Sequence, residues 1–248
     1  MKYQLTILLL SIYGIIYAQS DEIKTDRPDQ TETASIVPAG RFQMENGFTY
    51  QKSEKDREYI FPTSLLKFGL TNRIELRMIE EFGYMESEDI TGSGLKPLIV
   101  GAKYNLIREA GFIPEISLIT QVELPKVATN TFKAKYIAPE LRLLLDHSIG
   151  SQAEVGSNIG IQWDDEDGLP IYEYTISPNI DISQKLSAYI EEFAFLKSKT
   201  HGQHWIDGGL IFLATKNLQF DISAGYEITR VNHHTHQYFQ SVGMSFRI

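Results

Sequence analysis

The connections between the apolar segments of this chain alternate in length. After residue 40 the sequence reads as about twelve alternating strands. Short gaps fall at 71–72, 107–111, 146–151, 184–185 and 215–217. Longer polar gaps lie between them, at 53–57, 85–94, 125–134, 164–170, 197–203 and 229–235. A soluble sandwich has no reason to sort its loops in this way. An outer-membrane barrel does, because tight turns face the periplasm, longer loops face outside, and the strand number is even. The expected fold is therefore all-β, a transmembrane antiparallel up-and-down barrel.

The strands carry a period of two, the signature of extended chain with one apolar face. Phe42, Met44, Phe48 and Tyr50 alternate with Gln43, Glu45 and Thr49. Leu76, Met78, Phe82 and Tyr84 alternate with Glu75, Arg77 and Glu81, and Phe220, Ile222 and Tyr226 with Gln219, Asp221 and Glu227. A sandwich alternates too, so two further observations decide. Many strands reach the length that a tilted membrane strand needs. The apolar faces also end in aromatics: Tyr50, Tyr84, Trp163, Tyr172, Tyr226 and Tyr238 toward the outer rim, Phe42, Tyr104, Phe112, Phe220 and Phe246 toward the inner one. These are the two girdles of a membrane barrel.

The start of the chain agrees with export. Lys2 precedes an apolar run from Leu5 to Ile16, and Ala18 offers a small residue for cleavage. Residues 1–18 read as a signal peptide, 19–40 as a periplasmic or lumenal segment, and 41–248 as the barrel. The expected location is the outer membrane of a Gram-negative bacterium. There is no cysteine, so an exported chain must gain its stability elsewhere. The net charge of -9 argues against a nucleic-acid partner. The expected partners are outer-membrane lipid and lipopolysaccharide, the barrel-assembly machinery and a small-molecule solute. A mean hydropathy of -0.20 fits a barrel, where only alternate side chains meet lipid.

Some strands read less cleanly. Parity changes around Pro62, which calls for a bulge that would also tolerate the proline. Glu80 falls on the lipid face. Glu191 and Glu192 are adjacent, so one faces outward unless a bulge intervenes. The stretch from Trp205 to Leu213 alternates weakly.

The residues Thr25-Asp26-Arg27-Pro28-Asp29-Gln30-Thr31-Glu32 and then Val37-Pro38-Ala39-Gly40-Arg41-Phe42-Gln43-Met44-Glu45-Asn46-Gly47-Phe48 resemble the opening of an outer-membrane transporter family, labelled "putative MetA-pathway of phenol degradation". Leu66-Lys67-Phe68-Gly69-Leu70-Thr71-Asn72-Arg73-Ile74-Glu75-Leu76-Arg77 resembles its first inner hairpin. Asp207-Gly208-Gly209-Leu210, followed by Asn217-Leu218-Gln219-Phe220-Asp221, resembles its penultimate one. The resemblance spans essentially the whole mature chain. It implies a β-barrel and a transporter-like role, with aromatic compounds among the solutes, and carries no agreed catalytic residues; no cofactor is expected.

Catalysis finds little support in the residues themselves. There is no G-x-S-x-G elbow and no cysteine nucleophile, and His147 and Ser148 are adjacent in an inner turn, poor geometry for a base and its nucleophile. The lumen is the better candidate site. Inward acids are Glu45, Glu75, Glu81, Glu115, Glu123, Glu140, Glu154, Glu173, Asp181, Asp221 and Glu227; inward bases are Arg41, Arg73, Arg77, Lys103, Arg142 and Arg247. A water-filled lumen of this kind would favour cations or neutral solutes; a dry one would force the charges into pairs. Asp26, Arg27 and Asp29 lie in the segment before the strands, which folds into the lumen as a plug or hangs in the periplasm. As a plug it would let Arg27 pair with an acid such as Glu75. His201, His204, His233, His234 and His236 cluster in two outer loops and offer metal ligands. The acidic tip 164–167 offers a weak cation site. The reading is a channel for small solutes, aromatic or hydrophobic compounds among them. A membrane-embedded hydrolase and a structural barrel with binding loops are the alternatives.

Overall fold

The computed structural model of the protein describes residues 22–198, 202–229 and 237–248. The expected signal peptide, His201, His233, His234 and His236 lie outside these residues. The strands are β1 (Phe42–Lys52), β2 (Arg57–Thr71), β3 (Ile74–Glu86), β4 (Thr91–Leu95), β5 (Leu98–Ile107), β6 (Glu115–Leu124), β7 (Ala138–Ile149), β8 (Ala153–Trp163), β9 (Pro170–Ser183), β10 (Leu186–Lys197), β11 (Gln203–Thr215), β12 (Leu218–Glu227) and β13 (Tyr238–Arg247). Neighbours in sequence pair antiparallel, and β1 pairs with β13 to close the ring. Both β4 and β5 pair with β3, Leu95 opposite Phe82 and Ile99 opposite Ile79. They are two halves of one wall strand, broken at Lys96 and Pro97, where proline has no N–H to give the ladder. The result is a closed twelve-stranded barrel. The gap read as a loop over 85–94 is thus shorter, because β3 runs to Glu86 and β4 begins at Thr91.

The outward face is apolar. Leu76, Ile176, Ile180, Leu210, Ile222 and Val242 all point away from the lumen and are exposed. A closed ring of strands has no edge to satisfy, so its backbone tolerates hydrocarbon, and such an exterior belongs in a membrane. The outer girdle is built by register: Tyr50 pairs with Tyr59, and Tyr59 with Tyr84. Their ring centroids are 4.9 and 6.1 Å apart, and Tyr238 stands edge-on to Tyr50 at 6.1 Å. At the inner rim Phe42 pairs with Phe68.

The irregular strands resolve individually. The register of β2 shifts between Ile60 and Thr63 against β3, opposite a shift in β1 between Gly47 and Thr49. This bulge carries Pro62 and reverses the facing, so that Lys67 points inward. On β10 Glu191 is buried in the lumen, and Glu192 turns outward, where its carboxylate accepts a hydrogen bond from the Tyr174 hydroxyl at 2.7 Å. Glu80 does face outward, in register with Ser64, whose hydroxyl donates to Asn46 Oδ1 at 3.0 Å. On β11 the weak alternation reflects Gly208 and Gly209, which leave one residue on each face without a side chain.

Residues 22–40 occupy the lumen. The segment is tied to the periplasmic rim by the Ile23 amide on the Lys216 carbonyl at 2.8 Å, and it leaves at Gly40, whose φ of 77° favours glycine. Ala34 packs between Ile119 and Leu144 in a small apolar knot. From the outer side, the loop between β6 and β7 folds inward through two short 3-10 turns, Pro125–Val127 and Asn130–Phe132. The Phe132 ring lies against Gly83, where a Cβ would collide with it, and the Thr129 amide donates to Leu95 O at 3.0 Å.

Candidate functional site

The lumenal segment is extended, so successive side chains reach opposite walls. Asp26 faces β2, β3 and β5. Its carboxylate accepts from Lys67 at 2.8 Å, Arg77 at 2.8 Å and Lys103 at 2.9 Å. Burial would push this carboxyl up, but Lys103, Lys67 and Arg77 outweigh it and hold the group well below the usual carboxylate range. The Asp26 amide donates to Glu45, which also takes Lys67 at 2.5 Å. Glu32 takes the other face of Arg77 at 2.5 Å, and Glu75 accepts the Val37 amide at 2.8 Å. An unpaired buried ion is costly, so this lattice of pairs explains how so many charges share a narrow barrel.

The opposite wall, β9 to β13, is engaged through fewer ion pairs and more neutral hydrogen bonds. Arg27 donates to Asp221 at 2.8 Å and Ser241 at 2.9 Å. Asp29 accepts from Ser177 at 2.7 Å, and the Gln30 amide donates to Glu191 at 2.8 Å. Asp29 is pushed upward by its burial and then by the Glu191 carboxylate nearby. Here two cavities remain. The outer one, about 330 Å³, has an aromatic wall of Phe193, Phe195, Trp205 and Phe239 facing Thr49, Gln51, Gln237 and Ser241. Phe193 and Trp205 stack at 5.9 Å with planes 4° apart. The inner one, about 340 Å³, opens toward the periplasm among Lys24, Glu154, Asp181, Ser187 and Gln219.

The family described as "Putative MetA-pathway of phenol degradation" matches residues 25–248. The chain belongs to that family. No curated protein sequence matches it. Among solved structures, the COG4313 outer membrane channel from Pseudomonas putida F1 superposes with a TM-score of 0.70 at 13% identity, covering 87% of this chain and 98% of that one. The NanC porin gives 0.60 at 10% identity, and the KdgM porin in complex with disordered oligogalacturonate 0.57 at 11%. Each covers 82% of this chain and 98% of its own. These likenesses concern the fold.

In this family member, the opening motif and the first inner hairpin meet. Asp26 and Glu32 of the first touch Lys67 and Arg77 of the second. Of the residues read as lumenal, Glu140, Arg142 and Glu173 form a second buried cluster, with Arg142 2.9 Å from Glu140 and 2.5 Å from Glu173. Glu115 accepts from Asn105 at 2.7 Å. Glu81 lines the outer cavity; Glu154 and Asp181 line the inner one. Glu123 and Glu227 sit half-buried near the outer ends of β6 and β12. Four placements differ from expectation. Arg73 is exposed in the turn before β3, with its guanidinium on the Leu106 carbonyl at 3.0 Å, because β3 begins only at Ile74. Arg41 and Arg247 likewise sit at the inner rim, where Arg41 is exposed and Arg247 donates to Asn217 Oδ1 at 2.9 Å. Arg27 pairs with Asp221 on the far wall and not with Glu75, which Arg77 holds at 3.3 Å.

The loop sites also differ. His204 lies on the outward face, its Nδ1 3.4 Å from Glu192. Among the described residues no group of three or more His, Asp or Glu is placed to hold a metal ion. The acidic tip spends its carboxylates internally: Asp164 and Asp167 each lie 2.8 Å from Lys197, and Asp164 also accepts two backbone amides. His147 and Ser148, expected in an inner turn, lie at the end of β7, where Ser148 donates to Glu109 at 2.8 Å rather than to His147.

Lys67, Glu191, Asp207 and Asp146 belong to the lumenal site but escaped the sequence reading. Lys67 follows the bulge, Glu191 stands beside a second Glu, and Asp207 precedes two glycines. Asp146 looked like a turn residue, but β7 carries it inward to accept the Ala34 amide at 2.7 Å.

Proposed function

We propose that this outer-membrane barrel is a channel for small, uncharged solutes that carry an aromatic ring. The observation that carries this reading is the outer cavity, where stacked Phe193 and Trp205 with Phe239 form one wall and hydrogen-bonding Gln51, Gln237 and Thr49 the other. An aromatic solute gains ring contact on one side, worth about 0.5–1.5 kcal/mol per ring pair, and pairs its polar substituent on the other. The lumenal segment runs between the outer and inner cavities, with Arg27 and Asp29 lining both, so on this reading passage depends on capture rather than on free diffusion. The family description, which names phenol degradation, supports the solute class. The Pseudomonas putida neighbour is an outer membrane channel, and this supports the channel role. The Glu109 carboxylate between His147 and Ser148 supports no nucleophile–base pair there.

Trp205 makes the reading testable. Phenol titrated against the detergent-solubilised protein should quench its fluorescence saturably, with Trp163 replaced by Phe to isolate the signal. Glucose at the same concentrations should not. Proteoliposomes should take up phenol faster than protein-free ones. Equal responses to glucose and phenol would overturn the solute class. Saturable quenching without uptake would leave a binding barrel rather than a channel.

A further inference from the structure

The two cavities are separated by one stretch of chain, and Arg27 and Asp29 line both of them. The segment is anchored unequally across this septum. Toward β2, β3 and β5 it is fixed by the Asp26 and Glu32 lattice. Toward β9–β13 the contacts are Arg27 on Asp221 and Ser241, Asp29 on Ser177, the Gln30 amide on Glu191 and the Thr31 hydroxyl on Glu191 and Thr175, with Arg27 and Asp221 the ion pair among them. The barrel wall behind Arg27 is cut away. Gly47 and Gly243 are direct partners across β1 and β13, and a Cβ on either would collide with the guanidinium. Arg27 thus lies flat in a two-glycine notch, and its Nε has no hydrogen-bond partner.

We propose that Arg27 is the gate and selectivity residue of the route through this barrel. Its side chain leaves Asp221 to join the outer and inner cavities, while the Asp26 lattice holds the rest of the segment in place. Once Arg27 moves, the constriction presents the Asp221 carboxylate, with Glu81 above and Asp181 below. A passage lined by acids concentrates cations and admits neutral solutes. In the closed state the guanidinium neutralises Asp221 and turns small cations back. The inference rests on the channel reading for its purpose, but not for its geometry.

The test is conductance of the full-length protein in planar bilayers. Wild type should remain closed to KCl. Arg27→Ala should give discrete conducting steps, with a reversal potential showing cation preference under a salt gradient. Raising salt from 0.1 to 1 M should weaken that preference as the Debye length falls from about 10 to about 3 Å. Arg27→Ala with Asp221→Asn should still conduct with less cation preference. Gly243→Ala should conduct as well, because the added methyl fills the notch and displaces the guanidinium. Lys55→Ala breaks an exposed ion pair to Glu88 away from both cavities and should stay closed.

Hydrogen exchange over residues 22–40 must stay protected in Arg27→Ala, which separates a moving side chain from loss of the whole segment. A closed but correctly folded Arg27→Ala, an anion-selective one, loss of that protection, or equal opening by Lys55→Ala would each overturn the gate. If Arg27→Ala conducts while wild type neither binds nor passes phenol, the gate stands and the solute class falls. Phenol uptake by wild type with a closed Arg27→Ala gives the reverse.

Discussion

Asp26 and Lys103 are separated by 77 positions in the chain, and their charged groups lie 2.9 Å apart in the middle of the barrel. Lys103 also donates to the Thr33 carbonyl at 2.7 Å, so one lysine holds two points of the lumenal segment. The contact makes the segment part of the barrel's interior packing. Asp26→Asn should therefore cost about 3–5 kcal/mol, the usual penalty for leaving a buried charge without its partner. Hydrogen exchange over residues 22–40 should accelerate while the strand amides stay protected. Unchanged exchange would show that the apolar knot at Ala34 holds the segment without the ions.

Asp26 and Asp29 should give the docked segment opposite responses to pH. The Asp26 carboxyl is held below its unfolded value, so its contribution is complete above that value and is lost only as pH falls through the depressed folded one. The Asp29 carboxyl is raised, by burial and then by Glu191. It binds its proton more tightly when docked, so docking weakens as pH rises from the unfolded value through the folded one. Asp29→Asn should remove that alkaline weakening and leave the acid side unchanged. Proteolysis within residues 22–40, followed between about pH 2 and pH 9, reads both; an unchanged alkaline limb would refute the assignment.

Outward and inward faces should tolerate charge differently. Ile222 is exposed on the lipid face of β12, and Ile222→Arg should destabilise the barrel by about 2–4 kcal/mol if it lies near the midplane. Ile211 faces the inner cavity on β11, where water can reach an arginine, and Ile211→Arg should cost far less. Denaturant unfolding in the same lipid measures both. Equal penalties would reject the facing.

The aromatic wall should matter for capture. Trp205→Leu removes the partner stacked on Phe193. Phenol affinity should fall roughly 2- to 10-fold, from the 0.5–1.5 kcal/mol of one ring contact, and thermal stability should fall as well, because the buried ring leaves a cavity. Isothermal titration calorimetry checks the affinity.

Topology follows from the sorting of the loops. An epitope inserted at Glu166, in the turn between β8 and β9, should be reached by antibody on intact cells. One inserted at Asn72, between β2 and β3, should not. Labelling at Asn72 on intact cells would invert the barrel.

The barrel was legible in the sequence because its physics is local. A strand half in lipid and half in the lumen must alternate residue by residue, and its turns are written in consecutive residues. Hence the facing of Glu75 against Leu76, or of Asp221 against Ile222, follows from parity alone. Parity fails where the chain adds a residue or drops a side chain. The bulge at Pro62 concealed Lys67, the Glu191–Glu192 pair could face either way, and Gly208 and Gly209 blurred the strand that carries Asp207. The partners of the lumenal charges were beyond the sequence altogether. Arg27 had several acids within its reach, and electrostatics alone does not choose among them. What chose Asp221 was the direction of an extended segment already fixed by Asp26, and a notch that exists only because Gly47 and Gly243 become neighbours when β1 meets β13. The sequence by itself determined that the chain would close into a barrel with a charged interior. The closing of that ring decided which charges meet, because it brings together residues from opposite ends of the chain.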